Sequence, residues 1–144
     1  MPTVAINNKN SVGYRFRSFD LSNLNAIVSA ARKGIKTKVF YDFAETINMP
    51  EKSLAAVINI SSRTVSNYKN EEKLLEPMYS EHLLKLIHLF EKGEELFGSV
   101  DEFNYWLKKP FLNKKIAHIE LINTIGGVDL VLEELEKLAQ GYPI

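Results

Sequence analysis

The chain has 144 residues, 45% of them hydrophobic and 25% charged, with 18 basic and 18 acidic side chains and no cysteine. That make-up belongs to an ordinary folded protein and excludes a disordered or fibrous one, and the lack of cysteine excludes disulfides and thiolate metal sites, in keeping with a reducing cytoplasm. No stretch approaches the roughly 20 apolar residues of a membrane span, and the first residues lack the continuous apolar core of a signal peptide, so a cytoplasmic, soluble chain without a membrane partner is expected.

Charge is balanced in total but not along the chain: residues 1–40 hold seven Lys or Arg against the single acid Asp20, and the remainder is acidic by the same margin. Residues 1–17 lack periodicity and are rich in asparagine, which predicts a flexible basic arm that either tracks phosphates or is a solvated tail. From Ser18 or Ser22 onward, Leu21, Leu24, Ile27, Val28 and Ala31 recur at helical spacing, and Gly34 supplies a stop. A second helix over about 37–48 gathers Val39, Phe40, Phe43, Ala44 and Ile47 on one face, closed by Met49-Pro50.

The stretch LAAVINISSRTVSNY at 54–68 meets the demands of a helix-turn-helix. Ala55 is the small residue where two helices touch, Asn59 is a turn residue tolerant of left-handed backbone, and Leu54, Ile58, Ile60, Val65 and Tyr68 are apolar anchors. Ser61 is placed to cap the second helix. That leaves Ser62, Arg63, Thr64, Ser66, Asn67 and Lys69 pointing outward, with Arg63 and Asn67 four apart on one face. Arginine can offer a fork to guanine and asparagine an amide to adenine in the major groove; the alternative is a helical hairpin whose polar face is merely wet.

Glu76-Pro77 marks a further start, and a long helix over 78–97 turns Leu83, Leu86, Ile87, Phe90, Leu96 and Phe97 to a core before Gly98. Ser99 with Glu102 is a capping-box pattern for a short helix carrying Phe103, Trp106 and Leu107, ended by Pro110. A short helix near 118–124, a turn at Gly126-Gly127 and a final helix over about 128–140 complete the all-α reading; the final helix carries Val128, Val131, Leu132, Leu135 and Leu138 inward, and Asp129, Glu133, Glu134 and Glu136 on its solvated side. His82, His88 and His118 do not sit four apart and read as surface or boundary residues with no metal between them. No catalytic constellation and no cofactor motif emerge, so the chain is not expected to be an enzyme. Beyond the final helix, Tyr142 and Ile144, stiffened by Pro143, either dock into a partner's pocket at reduced ordering cost or fold back on their own domain.

From about Gly34 onward the order of these features resembles the Xre/MbcA/ParS-type antitoxins. The residues that carry the likeness are ISSRTVSNYKN as the recognition segment, SEHLLKLIHLFEKGEELFGSVDEFNYWLKKP as the long helix leading to a WL-x-x-P element, and LINTIGGVDLVLEELEKLAQG as a toxin-binding segment. The resemblance implies a helix-turn-helix DNA-binding bundle joined by a long helix to a small helical toxin-binding domain: arm at 1–17, helix-turn-helix region at 18–76, toxin-binding domain with its connecting helix at 77–144. It implies an antitoxin of a type II toxin–antitoxin system that binds a RES-domain toxin and represses its own operator as a homodimer or higher oligomer. Toxin contact then falls to Leu135, Leu138, Gln140, Gly141, Tyr142, Pro143 and Ile144. Asn67 and His82 stand where arginines are usual in the family. Two other classes remain open: a stand-alone regulator whose C-terminal domain only dimerises, and an interaction module whose helix-turn-helix no longer binds DNA.

Overall fold

The computed structural model describes residues 9–141. Among them the chain is all-α, with nine helices and a single pair of two-residue strands.

The N-terminal segment is structured where an arm was expected. Residues Val12–Arg15 form α1, capped by the Ser11 side chain, and Val12 and Phe16 are buried. A four-residue helix has too few hydrogen bonds to persist alone; here the Val12 N–H donates to the Glu94 carboxylate at 2.9 Å, and the apolar side chains beside it enter the core. The arm read over 1–17 is therefore corrected for residues 11–16, which belong to the folded body; residues 1–8 lie outside the described residues.

Helix α2 (Leu24–Lys33) begins at Asn23, whose side chain accepts from the Ala26 N–H, and ends at Gly34 with φ 86°. Strand β1 (Ile35–Lys36) pairs antiparallel with β2 (Leu74–Leu75), closing the loop that contains α3 (Thr37–Thr46), α4 (Glu51–Val57) and α5 (Ser62–Asn70). Helix α6 (Pro77–Phe97) follows, then α7 (Val100–Leu107) capped by Ser99, a single 3-10 turn at Phe111–Asn113, α8 (His118–Leu121) and α9 (Ile125–Ala139). No helix of the described residues is long and apolar enough to cross a membrane.

Helix α6 is the axis of the molecule. It packs against α1, α2, α7 and α9, and it buries Leu84 and Leu89 as well as the face read from the sequence. A helix apolar on nearly every side belongs inside a core, and one continuous cluster runs from Val12 to Leu135, across the boundary expected at 76–77. Through it passes a series of rings. Phe16 meets Phe43 at 5.8 Å, Phe43 meets Phe90 at 5.5 Å and Phe90 meets Phe103 at 5.0 Å, each edge to face, the arrangement the ring quadrupole favours. The series continues through Trp106 to His118, whose rings stack at 4.0 Å.

Two glycines allow the close approaches. A Cβ on Gly93 would collide with the Phe103 ring, so α7 lies directly on α6 at this point. A Cβ on Gly127 would collide with the Leu121 carbonyl. Gly126 and Gly127, read as a turn, are in fact in the first turn of α9, which starts at Ile125 under a cap from the Thr124 hydroxyl to the Gly127 N–H at 2.9 Å.

The histidines correct the surface reading. His82 and His118 are buried, and so is Glu134, which was placed on the solvated side of α9. His82 Nε2 bonds the Ile122 carbonyl at 2.8 Å and so ties α6 to the α8–α9 loop. Burial holds both His82 and His88 below the usual imidazole value of 6.5, with Lys92 adding to the effect at His88. An unfolded chain then takes up protons before the folded one, so stability is full above about 6.5 and falls as pH drops through the folded values. Glu91 and Glu94, raised by burial, act in the opposite sense, so the expected result is comparative: from pH 7.5 down to 5.5 the urea midpoint of His82→Gln falls less, or rises more, than that of wild type. An equal fall in both proteins would remove His82 as a source of the pH dependence.

Candidate nucleic-acid interface

Helices α4 and α5 are held at a fixed angle by the residues the sequence singled out. Leu54, Ala55, Ile58, Ile60 and Val65 are all buried, and Tyr68 is half-buried with its hydroxyl donating to Glu76 at 3.1 Å. Asn59 takes the left-handed conformation, φ 64°, that the turn needs, and its side-chain amide donates to the Asn123 carbonyl at 2.9 Å. Ser61 caps α5 by accepting from the Thr64 N–H at 3.0 Å. The cap and the buried Val65 fix the rotation of α5, and that rotation decides which side chains face outward.

Ser62, Arg63, Ser66, Asn67 and Lys69 are exposed. Among the described residues Arg63 and Asn67 have no hydrogen bond or ion pair holding them back, so both polar ends are available on one face of the helix. Thr64 departs from the expected set: it is half-buried and its hydroxyl is shared with Ser61 at 2.7 Å, which makes it part of the cap. His82 is buried and bonded to the Ile122 carbonyl, so its difference from arginine bears on the contact between α6 and the α8–α9 loop.

At the other end of the chain the expected contact residues separate. Leu135 is 2% exposed and packs in the chain's own core, so it supports α9 and is not available to a partner. Leu138 is half-buried, and Gln140 and Gly141 are exposed. Tyr142, Pro143 and Ile144 lie outside the described residues.

Sequence reading passed over the groups that anchor this end. His118 donates from Nδ1 to the Lys109 carbonyl at 2.6 Å, and its Nε2 is hydrogen-bonded to Glu134 Oε2 at 2.5 Å. With the Pro110–Ala117 bridge and the Phe111 N–H bonded to the Ile116 carbonyl, these contacts close residues 109–118 into a tight loop on α9. The described residues contain no group of three or more His, Asp or Glu side chains placed to hold a metal ion.

A capped helix presenting Arg63 and Asn67 outward beside a left-handed turn is the arrangement of a helix-turn-helix. Residues 26–88 match the family model described as the antitoxin Xre-like helix-turn-helix domain, a similarity that supports an Xre-type antitoxin and DNA-binding regulator. The match runs from α2 into α6, leaving α7, α8 and α9 outside it. No curated protein matches the chain.

Proposed function

We propose that this chain is the antitoxin of a type II toxin–antitoxin pair, acting in the cytoplasm without catalysis. It represses its own operon through α5 and neutralises a RES-domain toxin through the end of α9 and the residues that follow. The observation that carries the reading is the outward face of α5, where Arg63 and Asn67 are exposed and unpaired beneath a capped N-terminus. Arginine and asparagine on adjacent turns are the side chains that read guanine and adenine edges. A neutral chain with one reading helix binds DNA weakly, so operator recognition requires a dimer whose two helices lie about 34 Å apart, one turn of the duplex. The toxin-facing half draws its support from the antitoxin family of the matched domain and from the exposure of Gln140 and Gly141.

The test crosses two variants with two readouts, operator binding and protection of cells expressing the neighbouring toxin. Arg63→Ala is expected to lower operator affinity by about 5- to 150-fold, the equivalent of roughly 1–3 kcal/mol, and to leave protection intact. Truncation after Ala139 is expected to abolish protection and leave DNA binding in place. Equal protection by the intact and truncated chains would remove the C-terminal end from the mechanism, and unchanged operator affinity in Arg63→Ala would remove α5.

A further inference from the structure

Beside α5 the fold encloses a cleft of about 670 Å³ whose wall is built from the start of α3 and from the last turn of α5 and the residues after it. Lys36, Lys38, Lys69 and Lys73 line it together with Tyr41. The Lys69 ammonium lies 4.7 Å from the centre of the Tyr41 ring. Of the two carboxylates present, Asp42 is already engaged by Lys38 at 2.7 Å and approached by Arg15 at 3.9 Å, leaving Glu72 against the remaining lysines.

The start of α3 faces the same cleft with its donors open. Lys36 occupies the N-cap position and no side chain caps the helix, so the first-turn N–H groups lack an intrahelical partner. Thr37 lines the cleft with most of its surface covered, at 6% exposure. Crowded ammonium groups repel, and one anion in the cleft relieves that repulsion while meeting the open first-turn N–H groups.

We infer that this cleft is a phosphate-binding site, and that the phosphate it takes belongs to the DNA backbone flanking the bases read by α5. The inference rests on the DNA-binding reading above and assigns it a second anchor. Lys69 stands at i+7 from Ser62 and i+3 from Ser66, on the row next to the one that carries Arg63 and Asn67, so a strand in contact with that face runs past the mouth of the cleft. The Thr37 hydroxyl, the helix N–H groups and the ammonium groups are the donors a phosphodiester oxygen accepts from. A contact of this kind carries no base preference: it fixes the height of the reading helix in the groove.

Two measurements on the full chain test the site. Titration with inorganic phosphate, followed by amide chemical shifts, is expected to move Thr37, Lys38 and Val39 saturably in wild type and far less in Thr37→Val or in Lys36→Gln/Lys73→Gln. Binding to the duplex upstream of the reading frame is then measured from 50 to 300 mM salt. The double lysine variant should flatten the slope of log K against log salt by ~0.9 for each phosphate it no longer neutralises, for operator and unrelated duplex alike, whereas Arg63→Ala affects the operator alone. If Arg63→Ala weakens operator binding while the lysine variant leaves both the slope and the amide shifts untouched, the phosphate site is wrong and the DNA reading stands. Saturable phosphate shifts in a wild-type chain that binds no duplex at low salt would overturn the assignment to DNA and identify a free phosphorylated ligand.

Discussion

Replacing His118 with alanine is expected to destabilise the folded chain by about 3–5 kcal/mol, the loss typical when one member of a buried pair is removed and the other stays behind. The ring is 2% exposed, stacks on Trp106 at 4.0 Å, and uses both nitrogens. Without it Glu134 would keep its carboxyl group inside the core with neither oxygen bonded, since Oε1 has no partner even in the intact structure. The Lys109 carbonyl would lose its side-chain donor in the same step, although the His118 N–H, at 3.1 Å, would remain in the backbone of any variant. Replacing both members with leucine is expected to recover most of the loss, because the penalty lies in the stranded group and not in the absence of the pair. Urea unfolding of the three proteins at one pH separates these contributions. A single variant that loses less than about 1 kcal/mol would mean that water reaches Glu134 and that the pair is not a structural tie.

Phe90→Ala is the second large effect, about 3–5 kcal/mol by the usual response of a core to losing an aromatic ring. Phe90 is 1% exposed on the central helix and touches Phe43 of α3 on one side and Phe103 of α7 on the other. Its removal opens a void between the helix-turn-helix region and the C-terminal helices at once. Both regions are therefore expected to unfold together at a lower midpoint, and the emission of Trp106, in the C-terminal part, should follow the same curve as helicity measured by circular dichroism. Two separate transitions would show that the ring series does not join the halves. Val39, half-buried at the rim of the core, serves as a comparison, with a smaller loss expected on truncation to alanine.

Much of the architecture was legible because it is written in local chemistry. Ser61 and Ser99 cap the helices they precede, Pro77 opens α6, and Asn59 adopts the one backbone region that a four-residue turn between two helices demands. Each of these depends on neighbours within a few residues. The face of α5 followed from the same local logic, since Val65 inward leaves Arg63 and Asn67 outward. What stayed hidden depends on partners far along the chain. Periodicity could not find α1, a single turn held by Glu94 from 82 residues away. His118 and Glu134 look like ordinary polar residues until two helices bring them together, and Gly126-Gly127 reads as a turn until the carbonyl of Leu121 is seen to occupy the space of a side chain. The cleft beside α5 takes its walls from separate elements, so no spacing rule points to it.

The hydrogen bond from the Asn59 side chain to the Asn123 carbonyl has a consequence for how the two proposed surfaces are related. Asn59 stands two residues before the cap of α5, and Asn123 one residue before the cap of α9. The helix proposed to read DNA and the helix proposed to present its end to a toxin therefore start from opposite sides of one 2.9 Å contact. Were a ligand at one end to shift this shared contact, affinity at the other end would change, and thermodynamic linkage would require the two changes to be the same factor.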